Sequence, residues 1–136
     1  MPRVVVDTSV VSIIHNRDDR APYYERHLVG RSTFISFQTL EELWYGAYKD
    51  NWGEKRRAEL AQHIEQYHVV WSNPDLIRLS ARLRSDRRSA GRELKSADAW
   101  IAATALLLEC PLASHDGDFA DIPGIELLRR NHGSTR

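Results

Sequence analysis

Cysteine is nearly missing from these 136 residues. Cys110 stands alone, so no disulfide can form within the chain. A protein that does without disulfides is expected in a reducing compartment, the cytoplasm. Cys110 follows an apolar helical run and is expected to be a small buried residue, not a nucleophile. Long hydrophobic runs are missing as well: nothing approaches the roughly 20 residues of a membrane span. Met1-Pro2-Arg3 leads into no apolar stretch of the signal-peptide kind, so no membrane partner is expected. An excess of one charge is also absent, since Lys+Arg and Asp+Glu number 19 each. That excludes a protein coating polyanions by bulk charge, while leaving room for local basic patches. Repeats, low-complexity blocks and linkers are lacking too. One domain over residues 1–130 is therefore expected, followed by a disordered polar tail at 131–136.

What the chain does have begins with Arg3-Val4-Val5-Val6-Asp7-Thr8-Ser9. Three β-branched residues in a row predict a short buried strand that ends in a carboxylate. Val10, Val11, Ile13 and Ile14 predict a first helix, and 16–20 a polar loop. A second helix starts at Ala21-Pro22 and ends before Gly30. Thr33–Phe37 is the second strand. Ser36 or Thr39 begins a third helix, where Leu40, Leu43, Trp44 and Ala47 keep helical spacing. Gly53 breaks it, and a charged helix runs through Leu60 and Ile64. His68–Trp71 is the third strand. Asn73 caps the next helix with Pro74 at its first position, and Ser89-Ala90-Gly91 ends it. Ser96 is expected to cap a helix over Ala97–Glu109. Pro111–Ser114 and Ile125–Leu128 are the last strands. Strands alternating with helices predict an α/β fold with parallel strands, whose carboxyl ends share one edge.

Acids gather at that edge. Asp7 ends the first strand, where it reads equally as a helix cap and as an active acid. Glu42 lies at the margin of the third helix's apolar stripe. Gly46, one turn on, leaves space beside it at a helix-propensity cost of about 1 kcal/mol relative to Ala. Locally Glu42 also serves as an early-helix acid facing the macrodipole, as Glu41 does. Asp98 occupies the first turn of a helix whose Ala102, Ala103 and Ala105 permit close packing. Asp116 and Asp118 follow the fourth strand in a polar turn. Four acids brought together without a cation would repel, and some would take up protons. A divalent ion relieves this, and oxygen ligands without paired His or Cys favour Mg²⁺ or Mn²⁺ over zinc. His115, with no second histidine at ligand spacing, reads as structural or substrate-facing.

These motifs resemble those of PIN-domain proteins, and among them VapC-type ribonuclease toxins of prokaryotic toxin–antitoxin pairs. The resemblance rests on Val4-Val5-Val6-Asp7-Thr8-Ser9, Ser36–Leu43 through Gly46, Ser96–Ala105 and Ser114–Phe119, in order and covering nearly the whole chain. It implies a three-layer α/β/α sandwich with a central, mainly parallel sheet of about five short strands. It further implies a Mg²⁺-dependent endoribonuclease, with Mn²⁺ as a substitute, inhibited by a cognate VapB-type antitoxin. A homodimer is implied as well, with DNA touched only through the antitoxin. By position Asp7, Glu42, Asp98 and Asp116 are the catalytic acids, with Asp7, Asp98 and Asp116 as metal ligands. The fourth motif departs a little, with Ser114 where many relatives carry Thr, and Asp118 is the alternative fourth acid.

In that frame the acids would need positive charge nearby to meet RNA. Arg82, Arg84, Arg87, Arg88, Arg92 and Lys95 crowd before Asp98, and Arg87, Arg88 and Arg92 are the candidate phosphate contacts. A solvated helix face is the other meaning of such a run. Trp44, Tyr45, Tyr48 and Trp52, with Tyr23, Tyr24 and Leu28, divide between core and partner anchors. The resemblance implies an RNA substrate and leaves transfer, ribosomal and messenger RNA open. Aspartyl-phosphate chemistry fits poorly, since Ser9 stands where a second Asp two residues after the first is needed. A catalytically silent PIN-like RNA-binding or scaffold domain is the alternative.

Overall fold

In the computed structural model, which describes residues 1–130, a five-stranded sheet with every pairing parallel runs through the middle of the molecule. The expected tail at 131–136 lies outside the described residues. In chain order the elements are β1 (Arg3–Val6), α1 (Thr8–His15), α2 (Ala21–Leu28), β2 (Ser32–Ser36), α3 (Phe37–Lys49), α4 (Glu54–Ile64) and β3 (His68–Val70). Then follow α5 (Pro74–Ser89), α6 (Ser96–Leu108), β4 (Leu112–Ala113), a 3₁₀ turn (Gly117–Phe119) and β5 (Leu127–Leu128). The spatial order is β3-β2-β1-β4-β5, so β1 is central and the strand order reverses beside it. That is the switch point at which open parallel sheets form crevices.

The valine run shows why β1 is central. Val4, Val5 and Val6 are fully buried although alternate side chains leave opposite faces. Val4 and Val6 pack with Val10, Val11, Tyr24, Ile35, Leu43 and Leu60, under α1–α4. Val5 packs with Leu83, Ile101, Ala102, Ala105, Leu112 and Phe119, under α5 and α6. The three layers follow, each fully buried Val contributing about 1.5 to 2 kcal/mol. The alanines of α6 bring it onto α5 and β1, as their small size predicted.

Several local expectations change. Asp7 occupies the N-cap position of α1, but its side chain makes no capping bond and is left for the acidic edge. Lys95 holds that position on α6, so Ser96 is the first helical residue and not the cap. Asn73 does cap α5, accepting the Leu76 N–H at 2.9 Å, and Ser36 caps α3 through Gln38. Tyr24 is wholly buried, which removes it from the candidate partner anchors. Cys110 is half-buried, and the same desolvation raises its thiol pKa, which disfavours the thiolate.

Candidate metal-binding active site

The acids reach the carboxyl edge from β1, α3, α6 and the loop after β4, which carries both Asp116 and Asp118. Asp7 follows β1, with its backbone N–H bonded to the Ala113 carbonyl at 2.9 Å, which ties the ends of β1 and β4 together. Its side chain is buried, and two hydroxyls hold it. Ser9 Oγ donates to Asp7 Oδ2 at 2.9 Å, and Ser114 Oγ donates to the same oxygen at 2.7 Å. Both serines also accept a backbone N–H: Ser9 from His115 at 3.0 Å, Ser114 from Asp116 at 3.0 Å. The strand-end acid and the loop after β4 are thereby one hydrogen-bonded unit. Burial raises the Asp7 pKa most, against the hydroxyl bonds that lower it, and the Asp116 charge raises it further.

The other half of the edge is built from α1 and α3. Thr8 Oγ1 donates to Glu42 Oε1 at 2.5 Å and shares a hydrogen bond of 3.1 Å with Thr39 Oγ1. Glu42 is the sixth residue of α3, half-buried, and its pKa is raised by burial first and by the Asp7 charge as well. A Cβ built on Gly46 would meet nothing within 4 Å, so the space expected beside Glu42 is present. It opens into a cavity of about 150 Å³ between α1 and α3, bounded by Glu42, Gly46, Ser12 and Trp52.

Asp98 projects from the first turn of α6 toward the loop after β4. One carboxylate oxygen from each of Asp98, Asp116 and Asp118 lies within 4.8 Å of the others. Asp116 Oδ1 accepts the Asp118 N–H at 2.9 Å, which sets the 3₁₀ turn and aims both acids at Asp98. The Asp98 pKa is pushed up to about 6, by desolvation first and then by Asp116, Asp7, Asp118 and Glu42 in turn. One carboxyl thus feels all four other acids of the edge. The donor set is oxygen alone, gathered on one opening and rich in unbalanced negative charge, which suits a hard divalent cation.

The structure brings all five candidate acids to one edge and puts Asp118 beside Asp116 instead of choosing between them. His115 Nδ1 lies 2.6 Å from Tyr24 Oη, which ties the loop after β4 to α2. Arg88 is exposed on α5, whereas Arg87 is buried and bonded through Nη2 to Asp121 Oδ1 at 2.9 Å. The hydroxyl bonds of Thr8 to Glu42 and of Ser114 to Asp7 join residues 34 and 107 positions apart. Only the recurrence of Ser and Thr beside each acid hinted at them.

With this geometry in place, known proteins give a consistent picture. The PIN-domain family profile matches residues 4–125. Ribonuclease VapC5 of Mycobacterium tuberculosis is 31% identical over 96 residues, 67% of this chain and 71% of that protein. Among solved structures, VapBC2 from Rickettsia felis, bound to a DNA fragment from its promoter, superposes with a TM-score of 0.80. That match covers 91% of this chain and 96% of the other at 21% identity, a likeness of fold. VapBC-5 from Mycobacterium tuberculosis superposes with a TM-score of 0.69 at 26% identity, covering 95% of this chain and 100% of the other. A sheet, an acidic edge and a family match that all span the same residues have one explanation: this chain belongs to the PIN-domain family.

Proposed function

We propose that the protein is a divalent-metal-dependent endoribonuclease, the toxin half of a VapBC-type toxin–antitoxin pair. The observation that carries this reading is the meeting of Asp98, Asp116 and Asp118 within 4.8 Å, with Asp7 and Glu42 electrostatically in reach. Asp98, Asp116 and Asp118 would hold Mg²⁺ or Mn²⁺, with Asp7 behind them directly or through water. When bound, such an ion polarises a phosphodiester oxygen and lowers the pKa of a coordinated water.

The chain's own residues do the rest. Ser9 and Ser114 keep the Asp7 carboxylate in one orientation. Glu42, half-buried and with a raised pKa, is suited to accept a proton from the attacking water, and Thr8 fixes the orientation of its carboxyl. Arg88, exposed on α5, and Arg92, exposed in the segment before α6, meet RNA phosphates. The cognate partner is a VapB-type antitoxin, and DNA is reached only through it. The solved relatives support this, since they were crystallised as VapBC complexes. Tyr45 and Tyr48, 65% and 63% exposed on α3, are the aromatic anchors on offer to an antitoxin or a second subunit. Among the described residues no helix is long and apolar enough to cross a membrane, and the cytoplasm remains the expected location.

Cleavage of transfer, ribosomal and messenger RNA by the purified protein tests the proposal. Activity should require Mg²⁺ or Mn²⁺, vanish in EDTA, and fall by about a hundredfold or more in Asp7→Asn. RNA binding without cleavage under all these conditions would favour a silent PIN-like domain instead. Cleavage that survives Asp7→Asn overturns the mechanism.

A further inference from the structure

A second cavity, of about 570 Å³, opens beside the acids between the end of α5, the start of α6 and the 3₁₀ turn. Asp98 and Asp118 form one side of it, and Arg87, Arg92 and Lys95 line it as well. The basic side chains are organised by one acid. Asp121 takes Arg87 through Oδ1 at 2.9 Å and Arg92 through Oδ2, while its backbone carbonyl accepts Arg87 Nη1 at 3.1 Å. Arg87 is the anchor of this clamp, with its side chain only 10% exposed. Among the described residues its buried Nε–H has no hydrogen-bond partner, a donor held out of water beside a polar cavity. Arg92 is the outer arm, its side chain 64% exposed. Lys95, the N-cap residue of α6, is exposed and has no ion pair among the described residues.

We propose that this cavity seats an RNA phosphodiester next to the one held at the acids, with Arg92 and Lys95 as its direct contacts and Asp121 as the residue that positions Arg92. The inference deepens the nuclease reading and rests on it. It also revises the part given to Arg87, which anchors the clamp and does not reach out to RNA as its place in the basic run predicted. An arginine held by a carboxylate keeps its outward N–H groups in fixed directions, so little freedom is lost when they meet phosphate. Charge sets a condition. Three cationic side chains line the cavity, but so do four acids: Glu93, Asp98, Asp118 and Asp121. With no cation at Asp98 and Asp118 the balance is negative and repels a phosphate. A divalent cation there, shared with Asp116, offsets two of those negative charges and removes the repulsion. Phosphate binding in the cavity is therefore coupled to occupancy of the acidic site.

Equilibrium binding of a short fluorescent single-stranded RNA to the full chain, followed by anisotropy, tests this without turnover. Ca²⁺ serves as the ion in one arm and EDTA replaces it in the other. In Ca²⁺, Arg92→Ala and Lys95→Ala should each weaken binding about threefold to tenfold. Each should also reduce the slope of log K against log salt by about 0.7, the loss of one phosphate contact on a single strand. Asp121→Asn should weaken binding as Arg92→Ala does, and the two together should do no more than either alone. A purely structural role for Asp121 would not produce that non-additivity. Arg78→Ala, on an exposed residue of α5 paired with Asp75, is the control and should change neither quantity. In EDTA the effects of Arg92→Ala and Lys95→Ala should shrink. Slopes for Arg92→Ala and Lys95→Ala that equal the control's overturn the proposal, even if the protein cleaves RNA. If those slopes fall as expected but the protein never cleaves, the nuclease reading fails and the phosphate seat stands.

Discussion

Replacing Asp98 by Asn should make the metal-free protein more stable while making it inactive. The Asp98 pKa stands at about 6 against an ordinary 3.8, with desolvation and the four neighbouring acids as causes. At 1.36 kcal/mol per tenfold in proton affinity, the gap corresponds to about 3 kcal/mol at full strength. Asp98 is only half-buried, so solvent screening reduces that to about 1.5 kcal/mol. The α6 N-terminus favours the charge by about 0.5 kcal/mol, which the neutral amide forgoes in part. A net gain of about 1 kcal/mol remains at neutral pH, or about 3 to 5 °C in Tm for a domain of this size.

The pH dependence fixes the cause. Because the folded-state pKa is raised, the folded protein holds this proton more tightly than the unfolded chain between pH 3.8 and about 6. The penalty on wild type is therefore absent below 3.8 and complete once pH has risen past 6. Thermal unfolding of both proteins in EDTA at pH 7.5 and pH 4 measures it: the Asn variant should lead at 7.5 and lose its lead at 4. Mg²⁺ should then raise the wild-type Tm and raise the variant's much less, since the ion stabilises only the form that binds it. A variant that melts at or below wild type at pH 7.5 in EDTA refutes the reasoning. So does one whose advantage is the same at pH 4, because packing would then be responsible and not charge.

His15 and His63, with ring centroids 4.9 Å apart between α1 and α4, have pKa values lowered from 6.5 by burial first. The unfolded chain takes up protons before these rings do, so the stability they contribute is present above 6.5 and lost as pH falls below it. His63→Gln should flatten the decline in Tm between pH 7 and 5 relative to wild type, as scanning calorimetry across that range would register. Ser114→Ala should cost about 1 to 2 kcal/mol in urea unfolding, since it deletes a buried hydroxyl that donates to Asp7 and accepts from Asp116. It should also weaken metal binding, read by the ion's effect on Tm. An unchanged ion effect would show that Asp7 keeps its orientation without Ser114.

How far the site could be read from the chain depended on how far apart in sequence its partners lie. Val4–Val6 announced a strand buried on both faces, because three β-branched residues leave no polar face for a surface strand. Strand–helix alternation then forced the acids to one edge, and all five candidates are there. What stayed hidden was which neighbour each acid would use. Asp118 looked like an alternative to Asp116 because the backbone bond that folds the two acids toward one point appears only when the 3₁₀ turn forms. The basic run failed differently. Six cationic residues between 82 and 95 are alike as letters, yet helical geometry turns Arg87 inward with Leu83 while Arg84 and Arg88 face out. An inward arginine needs a carboxylate, and Asp121 supplies it from 34 residues away. That pairing sits beside the acidic edge because the loop after β4 delivers Asp116, Asp118 and Asp121 together. One short loop thus provides both the acids that would hold a cation and the acid that aims an arginine, so substitutions there should disturb metal and RNA binding at once.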